Sequence, residues 1–106
     1  MALNLGGVTV TNNEEGQCFE TSVDGLRAFI AYRPFPSRIV FTHTEVPLPL
    51  EGKGLASKLA HTALGFARVN HLRVVPLCPY VSSFIRKHSE YRELVSSGDL
   101  QRVLSP

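Results

Sequence analysis

Residues 38–64 read RIVFTHTEVPLPLEGKGLASKLAHTAL, and this stretch decides the fold. Its first part, residues 38–46, is rich in β-branched and aromatic side chains and predicts a β-strand that ends at the two following prolines. From Gly54 onward, pairs of apolar and polar residues alternate, which approximates the period of an amphipathic helix running to about Asn70. The stretch therefore predicts a strand, a glycine-containing loop and a helix in direct succession.

The chain before this stretch has the pattern of three further strands. Val8 and Val10 alternate ahead of a polar turn at residues 12–16. Residues 18–23 and 26–33 then alternate at period two, and the Asp24-Gly25 pair between them is a strong hairpin signal. These segments predict an antiparallel meander that leads into the strand at residues 38–46.

The chain after the predicted long helix contains a short apolar strand at residues 72–77 and a second helix at residues 80–88. Residues 89–95 are compatible with a third helix, and residues 96–106 are predicted to be a loose tail. A strand, a helix and another strand make a βαβ crossover with a locally parallel pair. The predicted fold class is therefore α+β, with a mostly antiparallel mixed sheet around a central βαβ crossover.

Length and charge restrict the class of protein. The 106 residues and 11.7 kDa fit one domain over residues 1–106, with a core at about residues 8–95. The net charge is +2, and the Lys and Arg residues are spread along the chain, which argues against nucleic acid and suits one anionic ligand. No run of about 18 apolar residues is present, so no membrane span is expected. We expect a monomer or a weak dimer.

The two cysteines, Cys18 and Cys78, do not form a CxxC motif, and no metal-ligand spacing is present, so no metal site is predicted. Reduced thiols indicate a cytoplasmic protein. Residues 1–5 lack the basic and apolar regions of a signal peptide, which agrees with that location. Cys18 is predicted to be a small buried apolar residue.

The loop at residues 51–57, EGKGLAS, has the features of an anion-binding turn. Gly52 and Gly54 allow a tight turn and the close approach of a ligand. The first N–H groups of the following helix have no partner within it, and the helix dipole adds partial positive charge, so a phosphate is favoured there. Lys53 can add a full charge and Ser57 a hydroxyl. The alternative is a structural glycine turn with a solvated lysine.

Two common phosphate motifs do not fit this loop. A P-loop requires a glycine five residues before its Gly-Lys pair, but Pro47 stands five residues before Gly52 and a further glycine follows Lys53. A dinucleotide fingerprint requires a third glycine where this chain has Ser57.

The loop instead resembles the acyl-CoA pyrophosphate loop of the GCN5-related N-acetyltransferase (GNAT) superfamily, whose motif is Gln/Arg-x-x-Gly-x-Gly/Ala. Gly54 and Ala56 match its last two fixed positions, whereas Glu51 departs from the first. The chain is most similar to a very small GNAT-like group that shares HTEVP (residues 43–47), EGKGLAS and VVPLCPYV (residues 74–81). The resemblance implies a truncated GNAT fold and acetyl-CoA as the cofactor. The residues it assigns to cofactor binding are Val46, Glu51, Gly52, Lys53, Gly54, Leu55, Ala56, Ser57 and Tyr80.

The resemblance also implies catalytic candidates for transfer of an acetyl group to an unidentified amine. Glu45 is the candidate general base and His43 the second candidate, because several GNAT enzymes use a glutamate on this strand. Cys78 stands at the end of the fifth strand. Seven residues later, larger GNAT enzymes carry a tyrosine that acts as the general acid, and this chain has Ile85 there. Cys78 can replace it as an acid, or act as a nucleophile; Tyr80 and Tyr91 are alternative acids.

Each candidate also has a purely structural interpretation. His43 and Glu45 can be a surface pair, and Cys78 can be a packed thiol. Three functions follow from these alternatives: a minimal N-acetyltransferase, a non-catalytic acyl-CoA-binding or regulatory module, and an interaction domain whose glycine loop is structural.

Overall fold

The computed structural model describes residues 8–105. Residues 1–7 and Pro106 lie outside the described residues. The prediction that residues 1–5 lack the features of a signal peptide falls on this part of the chain. The elements follow in the order β1 (Thr11–Asn13), β2 (Cys18–Val23), β3 (Leu26–Pro34), β4 (Arg38–Glu45), α1 (Leu55–Val69), β5 (Arg73–Pro76), α2 (Pro79–Lys87) and α3 (Ser97–Leu104), with 3₁₀ segments at Leu48–Leu50 and Ser89–Leu94.

The five strands form one mixed sheet in the order β1-β2-β3-β4-β5. The first three pairs are antiparallel, and β4 pairs with β5 in parallel. A parallel pair needs a long crossover, which α1 provides. The α+β fold with a mostly antiparallel sheet and a βαβ crossover is therefore confirmed.

The core lies between the sheet and the helices. The apolar stripe of α1 packs against β2, β3, β4 and β5, while α2 packs against β4 and β5. Six α1 residues at helical spacing are buried, as the alternation of apolar and polar pairs predicts: Leu55, Leu59, Ala60, Ala63, Leu64 and Ala67. None of the helices within residues 8–105 is long and apolar enough to cross a membrane.

A β-bulge in β4 sets the direction in which its last residues point. Tyr32 of β3 is opposite Phe41, but the preceding β3 residue, Ala31, is opposite His43, so Thr42 is an extra residue. One extra residue reverses which face each following side chain occupies. Thr44 is therefore opposite the buried Ile30 on the helix-covered face, and His43 and Glu45 point to the other face.

Two segments differ from their predictions. The first strand is Thr11–Asn13 rather than residues 8–10, because Asn13 Oδ1 accepts the Gly16 N–H at 2.9 Å and closes the turn later in the chain. The prediction of a loose tail is wrong, because residues 97–104 form α3. Ser96 Oγ caps this helix by accepting the Asp99 N–H, and Val103 is 1% exposed in the core.

Cys18 is 2% exposed, so its predicted burial is confirmed, and its thiol also makes polar contacts. Its Sγ lies 3.3 Å from Glu20 Oε1, and Arg27 Nη2 donates to it at 3.0 Å. Burial, and then the Glu20 carboxylate, raise the pKa of the Cys18 thiol. This network lies on the sheet face opposite the helices, and it holds Cys18 in its protonated, unreactive form.

The Glu20→Gln variant is expected to lose about 0.5–1 kcal/mol of stability at pH 7, because Arg27 Nε donates to Glu20 Oε1 at 2.8 Å on a partly exposed surface. The hydrogen bond from Arg27 is the main cause that lowers the pKa of Glu20. A lowered pKa stabilises the fold above the ordinary carboxylate range, and the stabilisation is lost as the pH falls through the lowered pKa. Urea unfolding at pH 7 and pH 3 measures this, and an equal difference at both pH values contradicts it.

Candidate active site

A cavity of about 400 Å³ opens where β4 ends and α1 begins. It lies within the 300–1,000 Å³ that small-molecule sites typically occupy. Six residues from the end of β4 and the following loop line it, together with three residues at the start of α1 and one residue of α2. The full set is Thr44, Val46, Leu50, Glu51, Gly52, Gly54, Leu55, Ala56, Ser57 and Tyr80.

The loop between β4 and α1 forms one wall of this cavity. Gly52 has a φ of +75° and Gly54 a φ of +80°, a left-handed conformation that favours glycine. Gly54 is the N-cap residue of α1, and no side chain caps this end of the helix. The first intrahelical bond runs from the Lys58 N–H to the Gly54 carbonyl at 3.1 Å. The preceding N–H groups at the start of α1 are therefore directed toward an acceptor outside the helix.

Eight of the nine predicted cofactor-binding residues line the cavity. Lys53 is exposed and does not line it. Two lining residues, Thr44 and Leu50, were not predicted. Leu50 is 5% exposed within the 3₁₀ segment, and its place after two prolines gave no signal of a site. Thr44 could have been found only by locating the β4 bulge.

Cys78 lies directly behind the cavity wall. It is 2% exposed, and its N–H donates to the Phe41 carbonyl at 2.9 Å, which ties the segment after β5 to β4. Its Sγ lies 3.0 Å from Thr44 Oγ1. Cys78 itself does not line the cavity, whereas Thr44 does.

The structure separates the other two predicted catalytic residues from the cavity. His43 Nε2 and Glu45 Oε1 are 3.9 Å apart, and both side chains are more than 60% exposed. The His43 ring lies edge-on to the Phe29 ring at 6.0 Å, on the sheet face opposite α1. The cavity therefore lies on one face of the sheet at the end of β4, and the His43–Glu45 pair lies on the other face.

The alternative acid Tyr80 is half-buried in the cavity wall. Burial is the main cause that raises the pKa of Tyr80, so the phenol is protonated at neutral pH. Its ring lies 6.1 Å from that of Phe84. Ile85 stands where larger family members carry the tyrosine that acts as general acid. Its apolar side chain is fully buried in the core and cannot donate a proton.

Three further basic side chains, His61, Arg86 and His88, make structural contacts. His61 Nδ1 lies 2.8 Å from the Tyr91 hydroxyl, and the His88 ring stacks on Phe84 at 3.9 Å. Arg86 Nη1 donates to the Val103 carbonyl at 2.8 Å and so joins α2 to α3.

Comparison with known proteins identifies the family. Residues 18–94 match the family model of the GCN5-related N-acetyltransferases. The chain is 32% identical over 91 residues to protein NATD1 of Mus musculus, an alignment that covers 82% of this chain and 83% of that protein. It is 30% identical over 84 residues to protein NATD1 of Homo sapiens, covering 76% and 74% of the two chains. The chain therefore belongs to the GCN5-related N-acetyltransferase family and is an acetyltransferase-like protein.

Proposed function

We propose that this chain binds acetyl-CoA in the cavity and transfers its acetyl group to an amine. One observation carries the proposal. A single cavity runs from an uncapped helix start, suited to a pyrophosphate, to the Thr44–Cys78 contact at the end of β4 and β5.

The loop suits the pyrophosphate for three reasons. The left-handed Gly52 and Gly54 turn the backbone so that the cavity is lined by main chain. The start of α1 presents its first N–H groups and the positive end of its dipole. Lys53 adds charge from the exposed side of the loop, and the Ser57 hydroxyl is available to an oxygen of the ligand. The negative charge of Glu51 partly offsets the positive charge of Lys53. A loop that binds the pyrophosphate mainly through backbone N–H groups is consistent with this.

The end of β4 suits the pantetheine arm. The β4–β5 register covers residues 38–41 of β4, and β4 continues to Glu45 beyond it. The backbone between Thr42 and Val46 therefore presents an edge toward the start of α2 that an amide-bearing arm can pair with, as another strand would. In this proposal the thioester lies near Thr44.

The acceptor amine approaches from the opposite face in this mechanism. Glu45, aided by His43, takes the proton from the amine as its nitrogen attacks the thioester carbonyl. The new C–N bond forms, the C–S bond breaks, and the CoA thiolate takes up a proton. Because both side chains are well exposed, the acceptor side is open, which suits a small or loosely chosen amine.

A second candidate is a non-catalytic acyl-CoA-binding or regulatory module. Glu51 in the loop and the buried Ile85 at the usual position of the acid both favour it. It shares the cofactor site with the first candidate and differs in turnover. A cytoplasmic location, and a monomer or weak dimer, stay predictions for either candidate.

Isothermal titration with acetyl-CoA, followed by mass spectrometry of a panel of primary amines, tests this proposal. We expect binding in the micromolar range and an acetylated amine together with free CoA. Binding without turnover on any amine supports the regulatory module. The absence of binding at millimolar acetyl-CoA excludes both candidates and favours a structural glycine loop.

A further inference from the structure

The thiol of Cys78 and the hydroxyl of Thr44 form a polar pair that links the cavity to a buried sulfur. Their atoms are 3.0 Å apart, although the residues are 34 positions apart in the chain. Thr44 lines the cavity and is half-buried, while Cys78 is 2% exposed behind it. A leaving thiolate in the cavity can therefore contact the Thr44 hydroxyl directly, whereas Cys78 lies behind it.

We propose that Thr44 relays a proton from Cys78 to the leaving thiolate of CoA, an inference that rests on the proposed acetyl transfer. The Thr44 Oγ1–H bond breaks as its proton moves to the CoA sulfur, and the Cys78 S–H proton moves to Thr44 Oγ1. The products are CoA thiol and the Cys78 thiolate. The proton that Glu45 took from the amine returns through water to Thr44 Oγ1, whose own proton moves back to the Cys78 thiolate and closes the cycle.

The surroundings of the pair fit this role. Cys78 is held at the junction of the two strands by its N–H bond to the Phe41 carbonyl, so its sulfur is fixed against β4. The Cys78 thiolate that the relay forms lies at the N-cap of α2, a helix with no side-chain cap, where the helix dipole favours negative charge. Thr44 reaches this sulfur because the bulge at Thr42 turns it to the helix-covered face.

The test uses the full chain with an acceptor amine that the wild type acetylates. The Thr44→Val variant keeps the shape and removes the hydroxyl, and we expect its kcat to fall about 100-fold, as for loss of a general acid, with KM for acetyl-CoA within threefold. The Thr44→Ser variant keeps the hydroxyl and is expected to retain kcat within threefold. The Thr62→Val variant is the matched control, because the exposed Thr62 hydroxyl donates to the Lys58 carbonyl on α1, outside the cavity.

A double-mutant comparison separates the relay from a structural role. If Thr44 acts together with Cys78, the variant carrying both Thr44→Val and Cys78→Ala is no slower than Cys78→Ala alone. Additive losses, equal losses in the Val and Ser variants, or a Val variant at wild-type kcat each overturn the relay and leave the proposed transferase in place. A wild-type protein that acetylates no amine instead overturns the proposed function, and the relay with it.

Discussion

The Gly54→Asp variant is expected to raise the Kd for acetyl-CoA at least about 100-fold, which corresponds to about 2.7 kcal/mol. Gly54 has a φ of +80° and caps α1, so a side chain there is strained and stands between the loop and its ligand. The added carboxylate also repels a pyrophosphate at the helix start. Isothermal titration measures this change.

The Gly25→Asp variant is the matched control for this experiment. Gly25 has nearly the same φ, +79°, in the β2–β3 hairpin, and no atom lies within 4 Å of an added Cβ. Gly25 does not line the cavity. Both variants therefore carry the same strain and the same charge, and only Gly54→Asp is expected to lose binding. Equal affinities of the two variants for acetyl-CoA would show that the loop at residues 51–57 is not part of the binding site.

The Cys78→Ala variant is expected to lower kcat by about 100-fold, which is the lower end of what general acid catalysis contributes, while the Kd for acetyl-CoA changes little. The sulfur contacts Thr44 at the end of the cavity but does not line the cavity itself. Steady-state kinetics with an acetylated amine as product measures kcat, and titration measures the Kd.

The Cys18→Ala variant is the control for loss of a buried thiol. Both cysteines are free and 2% exposed, but Cys18 lies with Glu20 and Arg27 on the opposite face of the sheet. Its removal is expected to change stability and leave kcat within threefold. If Cys78→Ala retains the wild-type kcat, Cys78 is a packing residue and the leaving thiolate is protonated from elsewhere.

Local sequence patterns predicted most of the fold because they report directly on burial. The alternation in residues 18–23 and 26–33, the Asp24-Gly25 pair and the apolar stripe of α1 all reflect which side chains face the core. The α3 helix was missed because residues 97–104 contain few apolar side chains. The signal was available in Ser96 and Asp99, which have the spacing of a helix N-cap.

The sequence by itself determined the α+β class, the crossover and the loop at residues 51–57, because glycine positions and hydrophobic period act locally. The tertiary structure decided the catalytic layout. The extra residue Thr42 exists only in the pairing of β3 with β4, and it places Thr44 in the cavity wall and Glu45 on the opposite face. The Thr44–Cys78 contact needs α1 to return β5 beside β4, so two residues that are unrelated in sequence become hydrogen-bond partners.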